Sequence, residues 1–575
     1  MTWDHTTDLL VIGSGGGGMT AALVAHDCGA NVLVLEKSDV YGGSTALSGG
    51  ALWVPNNHHM PGAGIPDSDS DGLIYLQGVT RGGVPDDRLA AYVSHAKDMV
   101  RYLEDHSRVR FAPLPLYPDY YPEQPGGKPG GRSIEPVPYS SRKLGAEAPR
   151  LRRSGQGLVL GRMGITAAEA HVLVSGSMRG LWLGFRLMLA YLIKGLLRIR
   201  RSRFDTRLTV GCSLMARLRH SLMDRKIPVW LSTGADELVV EDGRVVGAVV
   251  TRGEQRIRVR ATRGVLLAAG GFARNRAMRE EHQRHPITDE WTAASPADQG
   301  DAIRMGTAVG ATVELMDDAW WTPVTLVPGK GAWLLVVEKS LPGSILVNRD
   351  GKRFTNEAAP YIDVVNGMYE ANQATPSIPC FLVFDARYRK HYPCGPLGPG
   401  KVQPDSRLPR RLRDSGFLKK SSTLRGLAES LGVDPDGLED TVRTFNEHAR
   451  AGHDPDFGRG DSLYDRYYSD PRVGSNPNLA PIVDAPFYAI EVYPGDLGTK
   501  GGLRTDAQAR VLDQHGEAIS GLYATGNCSA SVMGASYPGA GGTIGPAMAF
   551  AYIAAKHAVG RDASAGAPDA ERPAA

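Results

Sequence analysis

The feature that most constrains this fold is a run of glycines that directly follows a short apolar segment near the N-terminus. Residues 8–13 read Asp-Leu-Leu-Val-Ile-Gly, as expected for a strand buried on both faces of a parallel sheet. Residues 13–18 are rich in glycine, and the Ala-rich stretch 19–28 predicts a helix that ends at Gly29. A second strand is predicted at 31–35, which completes a βαβ unit of about thirty residues. The sequence therefore predicts an α/β fold with a Rossmann-like first domain.

The glycine spacing and one acidic residue predict that this unit binds a dinucleotide. Gly13, Gly15 and Gly18 satisfy the GxGxxG pattern, which lets a helix N-terminus approach a pyrophosphate. Glu36 ends the second strand about twenty residues later, where a carboxylate accepts both ribose hydroxyls and disfavours a 2′-phosphate. A glycine-rich turn that binds no ligand is the alternative. The strand before the glycines, the helix after them and Glu36 together weigh against it. The predicted cofactor-binding residues here are Gly13, Ser14, Gly15, Gly16, Gly17, Gly18, Glu36 and Lys37.

A second run of small residues favours FAD over NAD as the dinucleotide. Residues 41–50 read Tyr-Gly-Gly-Ser-Thr-Ala-Leu-Ser-Gly-Gly, which lets the backbone wrap a long dinucleotide and approach a flat ring. With this segment the chain resembles, up to about residue 560, the FAD-binding fumarate reductase superfamily of flavoproteins. The resemblance implies noncovalent FAD, because no His follows the motif where covalent members attach the flavin. It also implies cofactor-binding roles for Gly43, Ser44, Thr45, Ser48, Gly49, Gly50, Ala269, Gly270, Asp301, Gly526, Asn527, Thr543 and Ile544.

Charge and cysteine content argue against several other classes of protein. Lys and Arg number 65 against 62 Asp and Glu, a formal charge of +3, which gives no basis for predicting nucleic-acid binding. The five cysteines are scattered without CxxC spacing, which favours a reduced compartment and indicates no metal site. The polar N-terminus lacks the basic and then apolar pattern of a secretory signal, so a cytoplasmic location is predicted.

Changes of amino-acid composition along the chain predict a second domain inserted into the first. Strand-like segments that end in glycine recur at 264–271 and 521–526, as in the nucleotide-binding unit. Between them, residues 320–491 are rich in proline and aromatic residues, which predicts an inserted α+β domain that caps the substrate. The predicted limits are 1–318 and 491–560 for the FAD-binding domain, 319–490 for the substrate domain and 561–575 for a disordered tail.

Residues 181–203 combine large apolar side chains with several cations. A membrane-spanning helix is not predicted, because the least charged stretch falls short of the roughly twenty apolar residues that cross a bilayer. At about 100° per residue the cations fall mostly on one arc, which suits a helix lying on an anionic membrane surface. A buried helix with a solvated basic end is the plainer interpretation, and a lid is a third. The cations are Arg186, Lys194, Arg198, Arg200, Arg201 and Arg203.

Three tyrosine-bearing segments narrow the resemblance. They are Asp-Tyr-Tyr-Pro-Glu at 119–123, Arg-Phe-Thr-Asn-Glu-Ala-Ala-Pro-Tyr at 353–361 and Ser-Tyr-Pro-Gly-Ala-Gly at 536–541. Fumarate-reducing members clamp two carboxylates with Arg and His, whereas this chain offers tyrosines and apolar residues in the corresponding part. Together the three segments look like those of the 3-ketosteroid Δ1-dehydrogenases. The resemblance implies an apolar substrate, a 3-ketosteroid.

The same resemblance implies four catalytic positions. Tyr537 and the backbone amide of Gly541 would polarise the C3 ketone as an oxyanion-type site. Tyr361 would remove the C2 proton as a tyrosinate while C1 gives a hydride to flavin N5, and Tyr120 would hydrogen-bond to this base. A free phenol has a pKa of about 10, so Tyr361 needs such a partner or the field of the oxidised flavin. Tyr121 is adjacent, and the doublet leaves open which tyrosine supports the base.

The predicted function is therefore FAD-dependent 1,2-desaturation of a 3-ketosteroid, with reduced FAD reoxidised by an external acceptor such as a quinone. A 3-oxo-5α-steroid 4-dehydrogenase is an enzymatic alternative, which the Tyr-Pro-Gly-Ala-Gly arrangement disfavours. A membrane-associated flavin-binding or electron-relay protein without catalysis, using residues 181–203, is another. Five apolar residues fit either a wall for a rigid ring system or ordinary core packing: Trp320, Trp321, Leu334, Val336 and Val337.

Overall fold

The structure is a computed structural model and describes residues 2–153, 158–159, 163–174, 178–196 and 205–560. Two predictions from the sequence lie outside these residues: the disordered tail from residue 561 and the placement of Arg198, Arg200, Arg201 and Arg203.

The first sheet places the predicted βαβ unit at its centre. Strand His5–Ile12 runs parallel to Val32–Leu35 on one side and to Gln255–Leu267 on the other, and Ala518–Ala524 continues the parallel set. The carboxyl ends of these four strands therefore share one edge, where open α/β sheets bind their ligands. The strand order is Val229–Trp230, Val32–Leu35, His5–Ile12, Gln255–Leu267, Arg244–Arg252 and Thr233–Glu241, with Ala518–Ala524 beside Gln255–Leu267 and Arg510–Leu512 beside Ala518–Ala524.

Two helices from opposite ends of the chain pack against each other on this sheet. Helix Gly16–Asp27 follows the first strand, and helix Ile544–Ala558 follows the last tyrosine segment. Their approach is close, because a Cβ on Gly17 would lie 2.8 Å from the Ala547 carbonyl oxygen. This packing brings residues 536–543 to the same sheet edge as the N-terminal glycines.

A second, antiparallel sheet is built from the inserted part of the chain. Its strands in order are Gly331–Leu334, Ala319–Val327, Phe487–Thr499, Cys380–Phe384 and Ser344–Val347, with Lys419–Ser421 beside Phe487–Thr499. Helix Tyr361–Ala371 packs on strand Ala319–Val327. The boundary predicted at 490/491 lies inside strand Phe487–Thr499, which belongs to this sheet over its whole length. The α/β fold class is confirmed, and the domain limits stay a prediction.

The remaining elements are shorter or lie around the two sheets. The other strands are Leu52–Trp53, Phe111–Pro113, Ser133–Pro136, Tyr139–Ser140, Leu158–Val159, Met163–Gly164, Arg207–Leu208, Val313–Glu314 and Gly502–Leu503. The other α-helices are Gly43–Leu47, Asp69–Thr80, Asp86–His106, Ala167–Val174, Met178–Leu196, Val210–Asp224, Arg276–His282, Asp301–Ala308, Ala386–His391, Arg410–Arg413, Leu424–Leu431, Pro435–Ala451 and Leu463–Tyr467.

Helix Met178–Leu196 contradicts one interpretation of its sequence. Its large apolar side chains are exposed, including Leu181, Trp182 and Phe185 at more than half of their surface. The interpretation as a buried helix is therefore wrong for the described residues, because apolar composition alone does not tell which way a helix faces. None of the helices in the described ranges has the length and hydropathy to cross a bilayer.

Candidate active site

One continuous cavity of about 590 Å³ extends from the carboxyl edge of the first sheet to a group of buried tyrosines. Of the residues predicted to bind a cofactor, all except Gly18 line this cavity, and so do the four predicted catalytic residues. The sequence-predicted positions, distant along the chain, are therefore brought together around one space.

The N-terminal glycines serve two different purposes. A Cβ on Gly13 would lie 2.2 Å from the Ala268 carbonyl oxygen, and one on Gly18 would lie 2.0 Å from the Gly13 carbonyl oxygen. Gly13 is required by its close approach to the segment after strand Gln255–Leu267, whereas Gly18 is required by the close packing of the helix on Gly13 and lies outside the described cavity lining. Gly15, in contrast, faces the cavity and has only the Thr45 hydroxyl within 4 Å of an added Cβ.

The helix that begins at Gly16 points its N-terminus into the cavity. Gly15 supplies no side-chain cap, and the first turn holds no acidic residue. The Gly16 amide donates to the Thr45 hydroxyl at 3.1 Å. Free helix amides and the positive end of the helix dipole favour an anionic group such as a pyrophosphate.

The Glu36 carboxylate is fixed at the end of the second strand. Its Oε2 atom accepts a hydrogen bond from the Ser14 hydroxyl at 2.5 Å, and its Oε1 atom accepts one from the Ser38 amide at 2.9 Å. Lys37 forms an ion pair with Asp301 beside it, and both residues line the cavity. A carboxylate held in this way presents its remaining lone pairs to ribose hydroxyls.

The segment 43–50 crosses the cavity next to a buried carboxyl group. The Ser44 hydroxyl donates to Asp298 at 2.8 Å, and burial raises the pKa of Asp298 to about 7. Added Cβ atoms on Gly43 and Gly49 would meet no backbone atom closer than 3.7 Å, so the cavity can be approached by a ligand at these points. Thr45, Ser48 and Gly50 complete this wall.

The remaining predicted cofactor residues come from the middle and end of the chain. Ala269 and Gly270 follow strand Gln255–Leu267, and a Cβ on Gly270 would lie 2.6 Å from the Asp298 carboxylate. Gly526 and Asn527 follow strand Ala518–Ala524, and the Asn527 side-chain oxygen accepts from the Trp320 indole at 3.1 Å. Thr543 and Ile544 begin the last helix. Anion-binding amides, a ribose carboxylate and glycines open to the cavity fit a bound adenine dinucleotide.

The predicted catalytic tyrosines form one buried cluster. The hydroxyls of Tyr120 and Tyr361 hydrogen-bond to each other. The ring centroid of Tyr537 lies 5.1 Å from that of Tyr120 and 5.3 Å from that of Tyr361. At most 5% of each side chain is exposed. Tyr121 instead donates to Asp363 at 3.1 Å, so the structure pairs Tyr120 with Tyr361.

The backbone around two of these tyrosines is held firmly. Before Tyr361, the buried Lys339 ammonium donates to the carbonyls of Glu357 at 2.9 Å and Ala359 at 2.7 Å. The Ser536 carbonyl, before Tyr537, accepts from the buried Lys500 ammonium at 2.9 Å. Burial lowers the pKa of Lys339 to about 7. Such contacts fix where the phenol groups stand within the cavity.

Burial dominates the acidity of the cluster. Loss of solvent raises the pKa of Tyr361 well above its usual range, and the hydrogen bond with Tyr120 lowers it in part. Burial also raises the pKa of Tyr537, and hydrogen bonds with Thr543 and Tyr361 oppose that shift. The phenols are therefore protonated at neutral pH in the protein alone, and Tyr537 can donate a hydrogen bond.

Gly541 lies where only glycine fits. Its φ is +100°, and an added Cβ would lie 2.5 Å from the backbone of Ala51. In the described part of the chain its amide has no hydrogen-bond acceptor, and the residue lines the cavity beside Tyr537. Tyr537 Oη and Thr543 Oγ1 are 3.0 Å apart. A phenol and a free amide that line the same cavity can both donate to a carbonyl oxygen bound there.

Two of the five apolar residues that could form a wall for a ring system lie at the cavity. Leu334 and Val336 line the cavity, whereas Val337, Trp320 and Trp321 are absent from its described lining. Trp320 instead packs edge-on against Tyr537, with ring centroids 4.8 Å apart.

Four further residues of this cavity were not predicted from the sequence. Tyr117, Tyr468, Leu114 and Leu497 also line it. The Tyr468 hydroxyl donates to the Tyr117 hydroxyl at 2.8 Å. The doublet Tyr467-Tyr468, three residues after Tyr464, was a usable signal, because aromatic residues of the inserted part were expected near the substrate.

Comparison with known proteins shows which family shares this architecture. Residues 8–544 match the family described as FAD binding domain. A 3-oxosteroid 1-dehydrogenase of Mycobacterium tuberculosis is 42% identical over 96% of this chain and 98% of its own length. A 4-oxocyclohexanecarboxylate 2-dehydrogenase of Sinomonas cyclohexanicum is 35% identical over 97% of this chain and 94% of its own length. The crystal structure of a 3-ketosteroid delta1-dehydrogenase from Sterolibacterium denitrificans, in complex with 1,4-androstadiene-3,17-dione, superimposes with a TM-score of 0.93 at 44% identity, covering 96% of this chain and 99% of that one.

Proposed function

Because the chain belongs to the FAD-binding family that includes the 3-oxosteroid 1-dehydrogenases, we propose that it introduces a 1,2-double bond into 3-ketosteroids. The chain is an FAD-dependent dehydrogenase. The observation that carries the proposal is the continuity of the cavity, which joins the dinucleotide end to the cluster of Tyr120, Tyr361 and Tyr537. A ketone bound at the tyrosine end would lie beside the redox cofactor.

Tyr537 and Gly541 supply the site for the ketone oxygen. The Tyr537 phenol and the Gly541 amide both line the cavity and can donate to the same oxygen. As the C2 proton leaves, negative charge builds on that oxygen, and donors placed in advance stabilise it in a site without bulk water. Thr543, 3.0 Å from the Tyr537 hydroxyl, orients the phenol.

Tyr361 is the proposed base. Its phenol stands against that of Tyr120, which stabilises a phenolate by donating a hydrogen bond to it. Bound FAD supplies the acceptor for the hydride that leaves C1. Tyr361 then holds the C2 proton at its Oη atom until the proton passes to solvent.

The charge of the lining favours a steroid over an acidic ring ketone such as the substrate named for the Sinomonas relative. Among the described residues of the lining, Lys37 is the only Lys or Arg, and it is paired with Asp301 at the dinucleotide end. A substrate carboxylate at the tyrosine end would have no cationic partner, which is costly in a buried site. An apolar ring system fits Leu334, Val336 and Leu497.

We also infer that an external acceptor, a quinone or a compound of similar potential, reoxidises the flavin. Nothing in the described cavity lining offers a second redox group, since the lining contains no cysteine. A non-catalytic electron relay would need no tyrosine cluster at the end of its cavity. The position of the cluster therefore favours the enzyme.

Turnover of 4-androstene-3,17-dione tests the proposal directly. Under anaerobic conditions we expect the steroid to bleach the oxidised flavin band, and with an artificial acceptor to yield a product lacking two hydrogens. Use of 5α-androstane-3,17-dione separates the two dehydrogenases, because a Δ1 enzyme places the new bond at C1–C2 and a 4-dehydrogenase at C4–C5. An unchanged flavin spectrum with both steroids would contradict an enzymatic role on ketosteroids.

The rate is expected to depend on pH with a defined sign. Since burial raises the pKa of Tyr361, the phenolate form is scarce at neutral pH and increases as the pH rises. We therefore expect kcat/KM to increase with pH, by up to about tenfold per unit where this ionisation limits the rate. Steady-state kinetics from about pH 6 to about pH 10, a range that lies below the raised pKa of Tyr361, would show it. A rate that falls over that range would exclude a phenol base.

A further inference from the structure

The Pro538 carbonyl, next to Tyr537 in the chain, is held by two donors from another part of the protein. It accepts a hydrogen bond from the Tyr120 amide at 3.0 Å and another from the Tyr75 hydroxyl at 2.7 Å. Both lone pairs of this oxygen are therefore occupied. The segment that carries the proposed ketone donors, Tyr537 and Gly541, is thus joined directly to the backbone of Tyr120, although the two are remote along the chain.

Tyr75 bonds to both of the segments that it joins. It lies on helix Asp69–Thr80, and its side chain is fully buried. Its hydroxyl also accepts a hydrogen bond from the Tyr121 amide at 3.3 Å. Burial raises the pKa of Tyr75 well above its usual range, so the phenol keeps the proton that it donates. One hydroxyl thereby fixes the spacing between the two tyrosine-bearing segments at 119–123 and 536–541.

A second set of contacts joins the same two segments. The buried Asp119 carboxylate accepts from the Trp53 indole at 2.7 Å and from the Arg132 guanidinium at 2.8 Å. Arg132 is itself paired with Asp67 at 2.7 Å, so its charge is balanced within the protein. The Trp53 ring lies directly against Gly539, where an added Cβ would come within 2.3 Å of it. Asp119, Trp53 and Gly539 therefore form a further path between the segments.

These supporting side chains act from outside the cavity. Tyr75, Asp119 and Trp53 are not part of its described lining, whereas Tyr120 and Tyr537 are. Their effect on a bound ketone is therefore indirect, through the position of the two tyrosines. The ring centroids of Tyr120 and Tyr537 are only 5.1 Å apart, so a shift of one segment changes how both rings face a ligand. Misplacement of a catalytic group by about 1 Å can lower a rate about 10²-fold.

We propose that Tyr75 and Asp119 are positioning residues, which hold the support of the base at a fixed distance from the groups that bind the ketone oxygen. The support of the base is Tyr120, and the groups that bind the oxygen are Tyr537 and Gly541. The inference rests on the proposed function, because it gives these residues an effect on the activation of a ketone. It also gives a role to the first residue of the Asp-Tyr-Tyr-Pro-Glu segment.

Tyr75→Phe in the FAD-loaded protein tests the proposal through the loss of one oxygen atom. With 4-androstene-3,17-dione we expect kcat to fall about tenfold or more, because the two segments lose their common bond. The affinity for a ketosteroid product should stay within about threefold of the wild type, since the lost alignment matters most in the transition state. The matched control is Tyr369→Phe, whose buried phenol also donates to a proline carbonyl, that of Pro286 at 3.1 Å. It should keep kcat within about twofold of the wild type.

The stretching frequency of the bound ketone separates positioning from a loss of stability. Hydrogen bonds from Tyr537 and Gly541 lower the C3 carbonyl frequency of a bound ketosteroid product. Tyr75→Phe should therefore raise that frequency part of the way to its value in Tyr537→Phe, and Tyr369→Phe should leave it unchanged. Isotope-edited infrared spectroscopy measures this shift without any turnover.

Two further variants complete the test. Because Tyr75 acts through the segment of Tyr537, Y75F/Y537F should lose less kcat than the product of the two single losses, by about threefold or more. D119N, which leaves Tyr75 in place and Arg132 paired with Asp67, should also lower kcat about tenfold. It provides a test that does not depend on the stability of Tyr75→Phe.

The possible failures are distinguishable. If the wild type desaturates the steroid while Tyr75→Phe keeps both its kcat and its carbonyl frequency, the inference is overturned and the proposed function stands. Losses that multiply in Y75F/Y537F would overturn it as well. A wild type without turnover of any ketosteroid would refute the proposed function, and the inference with it.

Discussion

Replacement of Tyr361 by Phe is expected to lower kcat by about 10² or more while FAD stays bound, as loss of a general base does. The change removes one oxygen atom from a buried side chain, so the ring still fills its place against Tyr120 and Tyr537. Residual activity would come from ketone polarisation and from the orientation of substrate and cofactor. The measurements are steady-state turnover with 4-androstene-3,17-dione and the ratio of flavin absorbance to protein.

Tyr369→Phe is the matched control for this variant. Tyr369 lies on the same helix, is also buried, and donates its hydroxyl to the Pro286 carbonyl at 3.1 Å outside the described cavity lining. It should lose stability and keep its turnover. If Tyr361→Phe retains wild-type kcat and pH dependence, Tyr361 is not the base.

Replacement of Tyr537 by Phe is expected to lower kcat/KM by about 10² to 10³, the range found when one donor of an oxyanion-type site is removed. The Gly541 amide would remain as a single donor. Because the lost hydrogen bond strengthens as charge develops on the ketone oxygen, kcat should fall more than the affinity for the steroid. Binding of a ketosteroid product, followed by the perturbation of the flavin spectrum, measures that affinity separately.

Tyr552→Phe controls for loss of a buried phenol close to Tyr537 in the sequence. Tyr552 lies on helix Ile544–Ala558, which follows residues 536–541, and is outside the described cavity lining. Equal losses in Tyr537→Phe and Tyr552→Phe would point to instability of this helix. They would remove Tyr537 from the proposed mechanism.

The nucleotide half of the cavity was predictable because its determinants are local. Strand, glycine turn and helix follow one another between His5 and Asp27, and Glu36 ends the next strand. Gly18 was grouped with the cofactor-binding glycines, although it lies outside the described cavity lining. Gly15 and Gly18 are the second and third glycines of the motif, and the distances in the folded chain agree with their different roles: Gly15 is open to the cavity, whereas Gly18 packs against the Gly13 carbonyl oxygen.

The substrate half was less predictable because its contacts join remote segments. The pairing of Tyr120 with Tyr361 spans 241 positions, and the choice between Tyr120 and Tyr121 depends on which phenol turns toward Asp363. Asp298 was missed because a lone aspartate carries no signal until Ser44 is placed against it. The exposure of Trp182 was equally hidden, since composition does not specify the orientation of a helix.

The meeting of two sheets at one cavity divides the chemistry between separate parts of the chain. The groups proposed to activate the ketone, Tyr537 and Gly541, are carried by the segment that leads into helix Ile544–Ala558 on the nucleotide-binding sheet. The proposed base Tyr361 and the wall residue Leu334 belong to the inserted part. In such an architecture, changes in the insert can alter the shape of the substrate pocket. The two groups proposed to activate the ketone, Tyr537 and Gly541, stay unchanged.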